Sequence, residues 1–442
     1  FDAEPIPISS IEEIGEELGL IPPSLLPLGI DGEVKAQGSV SGTLTEAMRG
    51  DVAGNLTGQV SLEEGGAIAL LANLQGKGWE ASIISDRLPL SQFSELVEKQ
   101  EAAAPAVNGI QQARTLLGQQ KNAPILTGFL DGRINLSGSA ITNFSPEAIR
   151  ATGNLAVSEL PVLLQPFETV LGWDGDRLQI EKAVTPGLFA SGTVDIDFPG
   201  ETPEVSNIDL DAEMSDFDLA ALPQQKVLNT DSSIVEGLVN FDGKVTGNLE
   251  NLTLGGDLSL ANLAVNKIKF DPLLAGNLNL DLNEGLDLEL VGNNDRIELA
   301  SNEEFFPTSF LVKLDDAVAK GNLRGDDLAV ELDDFPIQAL QIIPLPNIGV
   351  VSGITSAELT VFNAKSLNLD SISADGEVFV NKPAIGYIDG DFLAADINYD
   401  NGVGVLSDGK FVLGESEYLL DGRVDLNLDN EEGIFNPEYS AS

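Results

Sequence analysis

Three pairs of adjacent carboxylates, Asp315-Asp316, Asp326-Asp327 and Asp333-Asp334, are the groups in this chain best placed by type and spacing for chemistry. Two carboxyl groups about 5–9 Å apart can divide into an acid and a base or nucleophile, the arrangement that cleaves glycosides. With 71 acidic residues, however, such adjacency arises by chance. Asp396, Asn398 and Asp400 follow the alternate spacing of a calcium loop, but Asn401 stands where that loop needs Gly and Ser407 where it needs a bidentate Glu. Gly76-Lys77-Gly78 lacks the rest of a phosphate-binding loop and reads as a turn. The chain has no His and no Cys. The commonest general base, the commonest zinc ligand and the thiol nucleophile are therefore missing, no cofactor is expected, and an enzyme ranks behind other classes. Trp79 and Trp173 read as core or rim aromatics.

The elements that position all these groups are strands. In GNLNLDLNEGLDLEL (Gly276–Leu290), Leu278, Leu280, Leu282, Leu286, Leu288 and Leu290 occupy even positions, while Asn277, Asn279, Asp281, Asn283, Asp287 and Glu289 occupy odd ones. Period two gives a strand one dry face and one wet face, and Asn283-Glu284-Gly285 supplies a turn between two strands. The same alternation places Val34, Val40, Leu44, Val52, Leu56 and Val60 on one face.

The pattern returns at long range. Related stretches begin at Gly29, Gly128, Gly237 and Gly353, spaced by 99 to 116 residues. A unit of roughly a hundred residues is too long for one coil of a β-helix and long enough for several strands. Before three of these starts lie LPLSQFSELV (Leu88–Val97), FDLAALPQQ (Phe217–Gln225) and FPIQALQII (Phe335–Ile343); LPVLLQPFETVLGW (Leu160–Trp173) is similar. These predict short amphipathic helices or turns at an end of the sheet. Ser10 and Glu13 have capping-box spacing ahead of a short helix that ends near Gly19, before Pro22-Pro23. The spacing thus predicts an N-terminal helix and linker over 1–28, β-repeats over 29–428 with a helical insertion at 101–121, and a polar, fraying tail over 429–442.

Composition sets the boundaries of function. Net charge is −48, from 71 acidic against 23 basic residues. Phosphate recognition needs clustered Lys and Arg, so nucleic acid is excluded as a partner and anionic lipid surfaces are disfavoured. The most apolar stretch, Ile337–Ile354, is broken by Gln341, Pro344, Pro346 and Asn347, so no helical membrane span is expected. The chain opens at Phe1 rather than Met, which points to a piece of a longer protein.

A sheet with one apolar face must bury that face. Covering helices are scarce, so the expected fold is all-β: an elongated repetitive sheet folded lengthwise into a taco-like groove. Its dry face would include Val245, Leu252, Leu254, Leu258, Leu260, Leu278, Leu280, Leu282, Leu286, Leu288 and Leu290. In one reading these line a path for lipid acyl chains. In the other they only pack on each other.

Phrases such as GKVTGNLENLTLGGDLSLANLAVN (Gly243–Asn266), GSVSGTLTEAMRGDVAGNL (Gly38–Leu56) and GRINLSGSAITNFSPEAIRATGNLAV (Gly132–Val157) resemble the TamB proteins, relatives of the AsmA-like bridging proteins of double-membrane envelopes. The likeness covers most of residues 29–428 as a style of repeat, without a fixed motif. It implies a periplasmic β-taco anchored in the inner membrane elsewhere in the full-length protein. It also implies phospholipid acyl chains as cargo and a TamA-like outer-membrane assembly barrel as a partner, met by parts beyond this segment. The role implied is lipid movement between membranes, outer-membrane protein assembly, or both. The competing class is a structural or adhesive secreted β-solenoid without a lipid path, which the uneven repeat spacing disfavours.

Overall fold

A computed structural model describes residues 5–8, 10, 32–42, 52–62, 65–76, 78–93, 128–139, 145–159, 166–199, 203–221, 235–340, 351–364, 373–385, 388–400, 403–425 and 438–441. These are almost entirely strand. The chain divides into two units: Phe1–Phe217 with Asp242–Leu252, and Asp218–Phe241 with Thr253–Ser442.

The first unit carries β1 (Ile6–Pro7), β2 (Gly32–Ser41), β3 (Val52–Leu62), β4 (Ala67–Gly76), β5 (Gly78–Pro89), β6 (Phe129–Gly138), β7 (Ile149–Ser158), β8 (Phe167–Trp173), β9 (Arg177–Thr185), β10 (Leu188–Asp197) and β11 (Glu204–Asp218). Strand β12 (Val235–Gly247) is divided between the units at Phe241. From β1 to β11 each strand pairs antiparallel with its successor. Among the described residues no pairing closes this ladder into a barrel.

The second unit carries β13 (Leu252–Val265), β14 (Ile268–Lys269), β15 (Leu273–Asp281), β16 (Gly285–Val291), β17 (Arg296–Ser301), β18 (Pro307–Leu314), β19 (Ala317–Arg324) and β20 (Asp327–Pro336). It continues with β21 (Val351–Phe362), β22 (Ser373–Ile385), β23 (Ile388–Asp389), β24 (Phe392–Asp400), β25 (Val403–Leu413), β26 (Ser416–Asp425) and β27 (Glu438–Ala441). β13 pairs with β15, the sequence runs antiparallel to β22, and β22 pairs with β24, which leads on to β27. This too is an open meander, the antiparallel solution for strands joined by short turns.

Several strands carry bulges. In the second unit these include Asp334 on β20 (φ +48°), Lys382 on β22 (φ +49°) and Asp408 on β25 (φ +50°), each beside a shift of register. An extra residue on one strand kinks it and raises the local twist. In the first unit the described bulges include Arg87 on β5 (φ +45°), Glu181 on β9 and Ser206 on β11. Arg87 is braced: its N–H donates to Asp131 Oδ1 at 2.7 Å, and its guanidinium carbon lies 4.1 Å from the Phe129 ring centroid.

Several buried side chains lie beside these bulges. Leu332, Phe335, Thr355, Ala357 and Val380 are all buried near those of the second unit, and Leu88 near one of the first. Directly across the ladder from two aromatic residues, glycine makes room for the ring. A Cβ on Gly321 would sit 2.1 Å from Phe310 Cε1, and one on Gly138 2.4 Å from Trp79 Nε1.

Several expectations meet the structure at particular places. Leu90–Phe93, Leu219–Ala221 and Ile337–Leu340 are short 3-10 turns that follow β5, β11 and β20. The stretch expected to behave alike at Leu160–Trp173 instead ends in β8, because Phe167–Trp173 alternates and finds neighbours on both sides. The tail expected to fray contributes β27, paired with β26. The lead segment contributes β1, with Ile6 opposite Val34. Around the expected N-terminal helix, Ile8 and Ser10 are described, both in helical conformation, and 11–28 lie outside the described residues. The insertion at 101–121 lies outside the described residues.

Candidate functional site

Register converts the alternation into continuous apolar rungs. In the first unit one rung passes through Ala36, Gly58, Leu70, Ile83, Ile134, Gly153, Leu171, Ile180, Gly192 and Leu210. In the second, one runs Gly256, Leu278, Leu288, Leu299, Phe310, Gly321, Val330, Leu359, Gly376, Ile397 and Leu406. Facing residues in adjacent strands thus share one chemistry across each sheet, which is how sheet faces are stabilised.

The expected groove residues distribute as follows. Val245 and Leu252 belong to the first unit and the other nine to the second. Leu254, Leu280 and Leu286 form one rung; Leu278 and Leu288 form the next; Leu258 and Leu290 both face Gly276 in the third; Leu260 faces Leu274. Leu282 departs from the ladder, lying in the turn between β15 and β16. Leu290 departs in another way, being fully buried in a cluster with Leu263 and Leu274, against which Leu258, Leu260 and Leu288 also pack. The remaining members are half-buried.

The even-number rule does not extend past Leu290. The turn to β17 reverses the parity, so Ile297 and Leu299 continue the face. Each turn length or bulge resets the count, and this signal could have been followed by restarting the alternation at every Gly- or Asp-bearing turn.

Much of this face is half-buried. In the first unit, the buried apolar side chains among the described residues are Ile8, Leu62, Trp79, Leu88, Pro89, Ala183 and Ile208. Leu70, Ile83, Ile134, Leu171, Ile180 and Leu210 are half-buried. Among the described residues of that unit, neither a helical layer nor a second sheet lies within it to cover the face. No described helix is long and apolar enough to cross a membrane.

The opposite faces are polar. Glu331, Glu358, Glu377 and Asp396 stand directly opposite one another across four strands. Like charges so placed repel, and exposure to water with Lys320 at 2.9 Å from Glu331 moderates the cost. Arg177 donates to Asp195 Oδ1 at 2.6 Å, which holds the Asp195 carboxyl below its usual range and raises the guanidinium. Lys244, 2.6 Å from Asp211, is raised for the same reason.

The acidic pairs fall at turns and bulges. Asp315-Asp316 lies between β18 and β19; Asp326 ends the turn before β20 and Asp327 opens that strand, its Oδ1 accepting the Asn363 N–H at 3.2 Å. Asp334 donates its N–H to Ser356 Oγ at 3.2 Å. Asp396, Asn398 and Asp400 lie in β24, where Asp396 faces Glu377 and Ser407. An extended strand cannot wrap an ion as a loop does. Among the described residues no group of three acidic side chains is gathered to hold a metal.

Cavities mark a different place. One of about 1060 Å³ lies on the polar face of the first unit, between β3 and β9. Comparison of the chain with family models, with curated proteins and with solved structures gave no match.

Proposed function

We propose that the chain is a lipid-carrying β-groove, in which phospholipid acyl chains lie along the apolar rungs of each unit. The observation that supports this reading is the contrast within a single face. Leu290, in its cluster with Leu263 and Leu274, and Phe335 and Val380 beside bulges are sealed, while Leu278, Leu280, Leu286 and Leu299 are half-buried. A self-sufficient core would bury both sets.

Acyl chains suit such a surface because binding needs only apolar area. Each CH₂ removed from water contributes about 0.8 kcal/mol, so a long chain is held without a specific polar contact. Branched and medium-sized side chains interrupted by glycine leave a lane of uneven depth that accepts a flexible tail. The acidic outer face keeps the edges of the sheet in solution and disfavours pairing with other copies.

The resemblance to TamB proteins gives this reading its setting. The chain would be one segment of an envelope-bridging protein in the periplasm, anchored in the inner membrane and meeting a TamA-like outer-membrane barrel through other segments. In that setting the groove moves phospholipid between membranes and supports outer-membrane protein assembly.

Native mass spectrometry of protein purified without detergent tests the proposal. Co-purifying phospholipid, and saturable uptake of a fluorescent fatty acid, are expected. Absence of both would overturn it.

A further inference from the structure

The polar face of the first unit is hollowed. The cavity of about 1060 Å³ adjoins another of about 640 Å³ and shares Asn73, Glu80, Ser137 and Arg150 with it. Register identifies the face. Leu56, Ala72, Ala81, Leu136 and Ala151 form one apolar rung whose side chains point to the opposite side, so their backbone makes the floor. The walls are the side chains of the rungs on either side, rich in carboxamides and hydroxyls.

Two of those carboxamides are oriented. Ser39 Oγ donates to Asn55 Oδ1 at 3.0 Å, and Ser82 Oγ donates to Asn135 Oδ1 at 3.0 Å. Each Asn thus has its carbonyl end held by a serine and its NH₂ end left to donate to a ligand. Glu80 and Glu181 provide acceptors in the same hollow. One rung adds an apolar platform: Leu71 is 48% exposed, and three strands further on from its neighbour Ser82 the side chain is absent at Gly172, where a Cβ would meet nothing closer than Ala151 O at 3.8 Å.

The chemistry selects the ligand. Both arginines of the hollow are neutralised, Arg150 by Asp174 and Arg177 by Asp195, so phosphate or sulfate groups find no free cation there. Acyl chains belong on the other face. A peptide docked by strand addition needs unpaired backbone at a sheet edge, whereas these strands already spend their backbone groups on each other. A ligand met only by side chains, with donors and acceptors on every side and flat C–H faces, is a sugar. We infer that this hollow binds a neutral oligosaccharide laid across β3 to β9.

The test is calorimetric titration of the whole chain with maltohexaose, cellohexaose and the hexamer of N-acetylglucosamine. Asn135→Ala removes an oriented donor, and Gly172→Trp fills the floor where a Cβ meets nothing closer than 3.8 Å. Saturable binding of at least one sugar is expected, weakened about tenfold or more in each variant that keeps the parent melting temperature. Fatty-acid uptake should be unchanged in both, which separates this site from the lipid groove. The inference is overturned by no saturable binding of any of the three sugars at millimolar concentration. Equal binding by a folded variant, or tighter binding of a Gly/Ser-rich peptide than of every sugar, also overturns it.

Discussion

Asp271 and Asp295 each accept the other's backbone N–H. Asp271 donates to Asp295 Oδ2 at 2.5 Å, and Asp295 donates to Asp271 Oδ2 at 3.0 Å. Asp295 is buried, and its Oδ1 takes the N–H of Asp315 at 2.8 Å. Three connections of the second unit are thereby tied at one end of the strands. Asp295→Ala should orphan the N–H groups of the half-buried Asp271 and the exposed Asp315; a donor left fully buried costs about 1–3 kcal/mol, so the loss here should lie at or below that range, with water taking up part of the Asp315 donor. Urea unfolding measures this; an unchanged midpoint would show that water replaces the carboxylate at no cost.

Acid should loosen the fold within a defined window. Asp271 is held below the ordinary carboxylate range by the backbone N–H groups of Asn294 and Asp295, Asp281 by that of Asn283 and by the Thr253 hydroxyl, and Asp195 by Arg177. A depressed folded pKa contributes stability that is fully present above the unfolded value, about 3.9 for Asp, and is lost as pH falls through the folded value. The urea midpoint should therefore hold from neutral pH down to about pH 5 and fall below about pH 4. Asp271→Asn should flatten that fall, and a loss already complete by pH 6 would contradict the assignment.

Two leucines on one face should respond differently to charge. Leu290→Asp places a carboxylate where the side chain is 0% exposed, and should unfold its region at a cost of several kcal/mol. Leu280 is half-buried in the neighbouring part of the same ladder, and Leu280→Asp should fold yet lose fatty-acid uptake. Circular dichroism melts and uptake measured on the same samples distinguish them. Equal destabilisation by both would favour a face packed solid by its own side chains.

Gly321→Ala should be costly for a residue so small. The added methyl meets the Phe310 ring, which must leave its place over the glycine, and overpacking of this kind costs about 1–3 kcal/mol. The double variant Gly321→Ala/Phe310→Leu should recover part of the loss. Thermal melts that show no recovery would place the strain in the backbone instead.

The sequence by itself determined that the chain is built of strands with one dry and one wet side. Side-chain direction alternates along an extended backbone whatever surrounds it, so Leu278, Leu280, Leu286 and Leu288 declared their common face locally. It also located the turns that precede Gly128, Gly237 and Gly353, because proline and closely spaced apolar residues interrupt the alternation there. Only the tertiary structure decided how that face continues and where it closes. Parity passes from Leu290 to Ile297 through a turn whose length carries no hydrophobic signal, and Leu282 drops out of the ladder at the next turn back. Whether a leucine is sealed like Leu290 or half-open like Leu280 depends on what strands distant in sequence bring against it, and periodicity holds no record of that. The polar hollow was invisible for the same reason: curvature is a property of neighbouring strands together, fixed by twist and by bulges such as Arg87 and Glu181.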